Sequence, residues 1–324
     1  MHERGPAHES GSSNAALPAA QALAGLRIVV FLVWIARLAA APLADLSVLP
    51  EVLLEPPLLL QAIPPTWWQG ILHPAFLSSL QITLLVGVAL VVVGARPHGP
   101  IALTVVALLT FEQALVRSFG FSSHAEIVPL LAAWVIACWP AADRWSIAGG
   151  LRRSGGPESH ASGVFLIAAI GCWCYAATGM HRLAHYGPDL ILGNSMSSYV
   201  IENSFRYGTG EIGAMLLQEP GWARWLQLAM LGTTIMEILA PLALVLRRFR
   251  YIWLSFVIGF HLGSAVLLDT FFWEMMLVVA ASLVALDVVA PGSRESSAEK
   301  PRGDTSGSSR EPSTTCSKRA PEVT

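Results

Sequence analysis

The sequence predicts an all-α fold: a polytopic transmembrane helical bundle of about eight spans, with an interfacial helical segment on its outer side. Three observations carry that reading. Of 324 residues, 54% are hydrophobic and 13% charged, about half the charge of an ordinary soluble domain. Several windows run for about 18 residues or more with almost no charge, the length that crosses a bilayer core. Arginines and tryptophans fall at connections and span ends rather than being scattered. A soluble fold of this size needs a polar skin, which the sequence does not supply, so the lipid bilayer is the first expected partner. The formal net charge of −2 offers no basic stripe, which excludes nucleic acid as a partner.

Residues 1–21 are polar, rich in Gly, Ser, Ala and Pro, and read as a disordered lead. The apolar run Gly25–Leu46 follows. Its long lead carries Glu3 and Glu9, and Arg37 interrupts it, so an uncleaved anchor is expected rather than a signal peptide. Further spans are expected at Pro74–Ala95, Pro100–Phe119 and Ile127–Ala142. After an Arg/Gly linker come Ser162–Met180, Trp222–Leu246, Tyr251–Leu268 and Phe271–Val289, which completes eight. Residues 22–290 thus form one transmembrane domain. The stretch 291–324 has no aromatic, Ile or Leu and reads as a disordered tail.

With the N-terminus inside, the inner connections hold Arg96, then Arg144, Arg152 and Arg153, then Arg247, Arg248 and Arg250. The first outer connection, Ser47–His73, has no Lys or Arg and carries Glu51 and Glu55. This is the positive-inside pattern, and it puts both termini in the cytoplasm of a bacterial-type plasma membrane. The connection 183–221 is too long for a turn and too polar to span. It reads as one or two interfacial helices over the outer mouth, either a lid on a cavity or an idle surface loop.

Ionisable groups at membrane depth are expensive and persist when paired or functional. Matching depths suggest two structural ion pairs, Arg37–Glu112 and Arg27–Glu237. His261 lies midway along its span in "IGFHLGSAVLL". His124 opens the fourth span after Arg117 closes the third, and His181 and Arg182 close the fifth in "TGMHRL". A neutral imidazole both donates and accepts, which suits proton transfer or a hydrogen bond to a quinone or carbonyl oxygen. A core histidine bonded to a neighbouring helix fits His261 equally well. Topology gathers Arg117, His124, His181 and Arg182 at the outer mouth. His181 and His185 have ligand spacing but no acidic partner nearby, so no metal is expected. Cys172 and Cys174, two apart, face different sides of a helix, and with no CxxC no thiol–disulfide relay is read.

Four stretches in order carry a family resemblance: "LAGLRIVVFLVW", "SSHAEIVPLLAAWVIACWPAADRWSI", "YAATGMHRL" and "MEILAPLALVLRRFRYIWLSFVIGFHLG". Over about residues 22–289 the chain resembles the HTTM (horizontally transferred transmembrane domain) family, which includes the membrane region of vitamin K-dependent gamma-glutamyl carboxylase. The resemblance implies a bundle that binds a reduced quinone (menaquinol or vitamin K-like) and oxidises it to a strong base that deprotonates a carbon acid. It puts His124 at a histidine of the quinone step, Arg182 at the catalytic lysine and His181 at the preceding lysine. A guanidinium stays protonated, so Arg182 cannot serve as that base. The only lysines, Lys300 and Lys318, lie in the tail, so none in the bundle replaces it. The chain also shows no large extracytoplasmic domain to hold a propeptide and protein substrate. Glutamate carboxylation is therefore not expected.

Two readings follow. One is a membrane enzyme of carboxylase-like, quinol-oxidising (lyase or oxidoreductase) type acting on a lipid-soluble small molecule. In it His124, His181 and Arg182 are catalytic, and Arg117 and His261 bind substrate. The other is a non-catalytic membrane binding or scaffold protein that has lost the chemistry. Transport is disfavoured because paired Gly/Pro interruptions are absent.

Overall fold

The computed structural model describes residues 12–57, 60–120, 125–147, 156–187, 189, 193, 195–207, 212, 215, 218–268 and 271–289. Every regular element among them is helical. Helix α1 (Ser12–Ala40) starts inside the stretch read as a polar lead. It stops six residues before the expected Leu46, because Pro42 takes an extended ψ of 120° and carries no N–H to continue the ladder. The chain then makes two 3-10 turns, Leu43–Val48 and Glu51–Leu53. Gln81 bridges that break: its side chain accepts from the Leu43 N–H at 3.0 Å and donates to the Leu38 carbonyl.

A short helix α2 (Pro65–Ile71) leads into α3 (Pro74–Val92), whose first turn is capped by the His73 ring accepting from the Ala75 N–H at 3.2 Å. Gly94 ends α3 with φ +68°, a conformation costly to any residue with a Cβ. Helix α4 (His98–Arg117) follows, and α5 (Ile127–Cys138) runs four residues short of the expected Ala142. There Trp139 turns extended ahead of Pro140, as a pre-proline residue must. Helix α6 (Pro157–Tyr186) overruns its expected Ser162–Met180 at both ends, from Pro157 at its first position to Gly187 with φ +45°. His181, Arg182 and His185 therefore ride on a rigid helix, not on the connection.

Beyond it come α7 (Ser195–Tyr207) and α8 (Pro220–Ile238). The single span expected over Trp222–Leu246 is interrupted: α8 closes at Leu239, Pro241 interposes, and α9 (Leu242–Val245) is one turn. The proline removes a donor and disfavours helix at the residue before it. Helices α10 (Arg247–Leu268) and α11 (Trp273–Val289) complete the bundle.

Five helices are long and apolar enough to cross a membrane, over Leu17–Ala40, Pro74–Val92, His98–Arg117, Glu158–Tyr186 and Arg247–Leu267. Their outward faces are apolar too. Ile82 and Val86 on α3, Phe165 and Trp173 on α6, and Ile252 and Val266 on α10 are all exposed. A helix surrounded by water would carry polar residues there, whereas apolar residues suit lipid. Helices α1 and α6 form the centre: α1 packs on α3, α5, α6 and α11, and α6 also packs on α8 and α11. The fully buried Leu23, Phe31, Trp34, Val164 and Ile167 lie on these two helices.

Candidate functional site

The C-terminal third of α6 supplies one wall of a cavity of about 450 Å³. Cys174, Tyr175, Thr178, His181 and Arg182 recur at helical spacing, so they share one face of α6. Opposite them stand Glu237 from α8, Phe260 and His261 from α10, and Ile127, Phe272 and Met275 from the starts of α5 and α11. Most of the wall is apolar. Two polar pairs interrupt it.

In the first pair, Arg182 Nη1 donates to Glu237 Oε2 at 2.7 Å and lies 3.4 Å from the Thr234 hydroxyl. The Glu237 side chain is 3% exposed and that of Arg182 16%. Gly179 lets α6 and α8 approach closely enough for this contact. A Cβ placed on it would sit 2.9 Å from Glu237 Cβ and 3.0 Å from the Ile238 backbone nitrogen. In the second pair, the Tyr175 hydroxyl lies 2.6 Å from His261 Nε2 with both residues buried. Trp253 meets the Tyr175 ring edge-on at 5.0 Å and is itself held by its indole N–H donating to the Met236 carbonyl at 2.9 Å. Phe260 and Phe272 flank the His261 ring at 5.1 and 6.0 Å. His261 Nδ1 is buried and has no hydrogen-bond partner.

That orphan nitrogen matters because a buried polar atom without a partner costs on the order of 1–3 kcal/mol. If the Tyr175 hydroxyl donates to Nε2, the ring proton resides on Nδ1. Nδ1 then carries a buried, unsatisfied donor in the cavity wall, which a ligand oxygen would satisfy after a shift of the ring or its neighbours. The cavity can therefore hold a mostly apolar molecule, with His261 and the Glu237-bound Arg182 as hydrogen-bond donors in its wall.

Of the residues singled out in the sequence, His181, Arg182 and His261 are brought together here. Arg117 closes α4 and does not line this cavity. His124 lies outside the described residues. Both expected ion pairs are corrected. Arg37 binds Glu126 at 2.8 Å and approaches Glu274 at 3.9 Å, while Glu112 instead accepts from Gln113 at 2.9 Å. Depth along a span does not say which way a side chain points, and Glu126 and Glu274 lie at the starts of α5 and α11, level with the end of α1. Arg27 donates to the backbone carbonyls of Ala141 and Trp145 at 3.0 and 2.6 Å, which leaves Glu237 to Arg182. Those carbonyls belong to the turns that follow α5, so an acid is not needed there. Arg250, counted above among the loop charges, is buried and bound to Asp287.

Sequence reasoning does not single out Tyr175, one aromatic among many in the apolar spans, although a buried tyrosine needs a partner for its hydroxyl. Glu237 was assigned to the wrong arginine. Among the described residues, no group of three or more His, Cys, Asp or Glu side chains is placed to hold a metal ion.

A second cavity, of about 420 Å³, lies between the end of α1, the 3-10 turn and α4, lined by Arg37, Asp45, Glu112, Gln113 and Glu126. No family model, curated protein or solved structure matches this chain.

Proposed function

We propose that this is an integral membrane protein that binds an oxygen-bearing, lipid-soluble small molecule in the Tyr175–His261 cavity, a reduced quinone being the leading candidate. The single observation behind the proposal is the unpartnered Nδ1 of a buried histidine in the wall of an otherwise apolar cavity. A quinone or quinol ring would lie against Phe260 and Phe272 with one oxygen on His261. Arg182 would donate a hydrogen bond to a developing oxyanion while Glu237 balances its charge. His181, exposed at the rim, is the group free to move a proton between ligand and water.

The family resemblance to the vitamin K-dependent carboxylase-like membrane domain supports the same ligand class. On that reading the chain has eight spans, the five long apolar helices together with α5, α8 and α11. Both termini lie in the cytoplasm of a bacterial plasma membrane, and α7 lies at the outer interface over the cavity mouth. The resemblance gives His124 a part in the quinone step. Glutamate carboxylation is not part of the proposal, because Arg182 stands at the lysine position.

One observation favours the non-catalytic alternative. Arg182 is held at 2.7 Å by Glu237, an arrangement that fits a binding site whose reactive amine has been replaced by a fixed ion pair.

The test uses the full chain in nanodiscs with reduced menaquinone and oxygen, with the quinone followed by mass spectrometry and binding by tryptophan fluorescence. Saturable binding that weakens at least tenfold in His261→Ala supports the site. Faster oxidation than in His181→Ala and Arg182→Ala makes it an enzyme. Binding without oxidation makes it a carrier or scaffold, and no saturable binding overturns the quinone reading.

A further inference from the structure

The last turns of α6 place two imidazoles together at the rim of the cavity. His181 and His185 are four residues apart, so they stand one above the other on the same helix face. Their ring centroids are 3.9 Å apart and the planes are inclined by 36°. Both residues are exposed. Among the described residues neither ring makes a hydrogen bond, and the ring contact of each is with the other. The helix carries them to its end at Gly187, so neither is needed to fill a core.

We propose that His181 and His185 form a two-histidine site for a divalent transition-metal ion at the mouth of the cavity. The chemistry is that of neutral imidazole, a borderline-soft nitrogen donor that takes Zn²⁺, Ni²⁺ and Cu²⁺ in preference to Mg²⁺ or Ca²⁺. Bonds of about 2.0–2.1 Å from each nitrogen require the two donor atoms about 3 Å apart, which rings at this separation reach by rotation about their side-chain bonds. Two ligands on successive turns of a helix are pre-organised, because the backbone holds them in place before the ion arrives. The remaining coordination positions are left to water or to an oxygen of a molecule in the cavity that His181 also lines.

The charge around the pair permits this. Arg182 is next to His181 in sequence, and its guanidinium is bound to Glu237, which balances its charge. The sequence reading set the pair aside for want of an acidic partner, and no third protein ligand stands in reach among the described residues. Two-ligand chelation accordingly predicts micromolar rather than structural-site affinity, and an ion that exchanges.

The experiment is equilibrium binding of Zn²⁺ and Cu²⁺ to the full chain in nanodiscs, comparing the parent protein with His181→Ala, His185→Ala and the double variant. Seven other histidines are present in the chain, so the quantity read is the loss of one equivalent. The expected result is that each single variant loses the same equivalent, with affinity at that site falling at least tenfold, and that the double variant loses no more than either single one. The Cu²⁺ electron paramagnetic resonance spectrum of the parent should show coupling to two nitrogens that His185→Ala reduces. Unchanged thermal midpoints identify variants that fold, and His185→Gln provides a second substitution should His185→Ala fail to do so. Equal stoichiometry and affinity across the four proteins would overturn the proposal, as would losses that simply add in the double variant.

Discussion

Two cavities lie beside each other, on either side of the starts of α5 and α11, and each contains an arginine bound to a buried glutamate at almost the same distance. Arg37 meets Glu126 at 2.8 Å, and Arg182 meets Glu237 at 2.7 Å. Their surroundings differ. Around Arg37 the charges outnumber those at Arg182: Glu274 is a second carboxylate at 3.9 Å, and Gln113 donates to Glu112, although Arg37 Nε is buried without a hydrogen-bond partner. Four helices, α1, α4, α5 and α11, contribute to that knot, and its work is to hold them in register. Around Arg182 the polar set is incomplete, because His261 keeps a buried ring nitrogen with no partner between two phenylalanines. A dense set of charges shared by four helices holds them together, while a sparser one in a mostly apolar wall suits an apolar ligand.

The largest effect that can break this contrast comes from Glu237→Ala, which strands the Arg182 charge against an apolar wall. A cost of about 3–5 kcal/mol is expected in an unfolding titration with SDS in mixed micelles. A cost near zero would mean that water already solvates Arg182 and that the pair does not close the cavity. Next comes Glu126→Gln, which removes the charge bound to Arg37 while keeping the shape. About 1.5–3 kcal/mol should be lost in the same titration. The matching Glu112→Gln change serves as its control.

Gly179→Ala tests the close crossing of α6 and α8. The new methyl must displace a backbone nitrogen as well as a side chain, so about 1–3 kcal/mol of destabilisation and a weakened Arg182–Glu237 contact are expected. Tyr175→Phe should cost about 1 kcal/mol, the net value of one buried hydrogen bond. Its effect on ligand binding should exceed its effect on stability, since the hydroxyl sets which His261 nitrogen carries the proton. Equal losses of both would reduce Tyr175 to a packing residue. The smallest change is expected from Glu112→Gln, at less than about 1 kcal/mol, because a Gln carbonyl still accepts from Gln113. Should it match Glu126→Gln, the Arg37 partnership drawn from the sequence would be the correct one after all.

Much of the fold was legible because hydropathy and breaker residues act locally. The apolar runs that became α3, α4 and α10 were found with small errors at their ends, whereas α1 begins at Ser12, inside the stretch read as a disordered lead. The errors follow proline and glycine: Pro42, Pro140 and Pro241 stop or break helices where mean hydropathy continues. The helical extension of α6 to Tyr186 was hidden for the opposite reason, since its last turns are polar and still helical. In the site, His181, Arg182 and His261 were visible as costly polar groups in apolar sequence. Tyr175 was not, because a tyrosine is unremarkable in composition and acquires meaning only from what its hydroxyl meets.

By itself the sequence determined the helical class, the extent of the apolar segments and the set of residues too expensive to be idle. These depend on the free energy of transferring each residue out of water, which is a property of the residue and its near neighbours. Only the tertiary structure decided which partner each charge takes. Arg37 turned to Glu126, Arg27 to two carbonyls and Arg182 to Glu237, although spacing along the spans suggested otherwise. Pairing depends on the rotation and crossing of whole helices, where a turn of one residue moves a side chain by about 100° around the axis. That rotation is set by the packing of many apolar contacts at once, and no local stretch of sequence contains it.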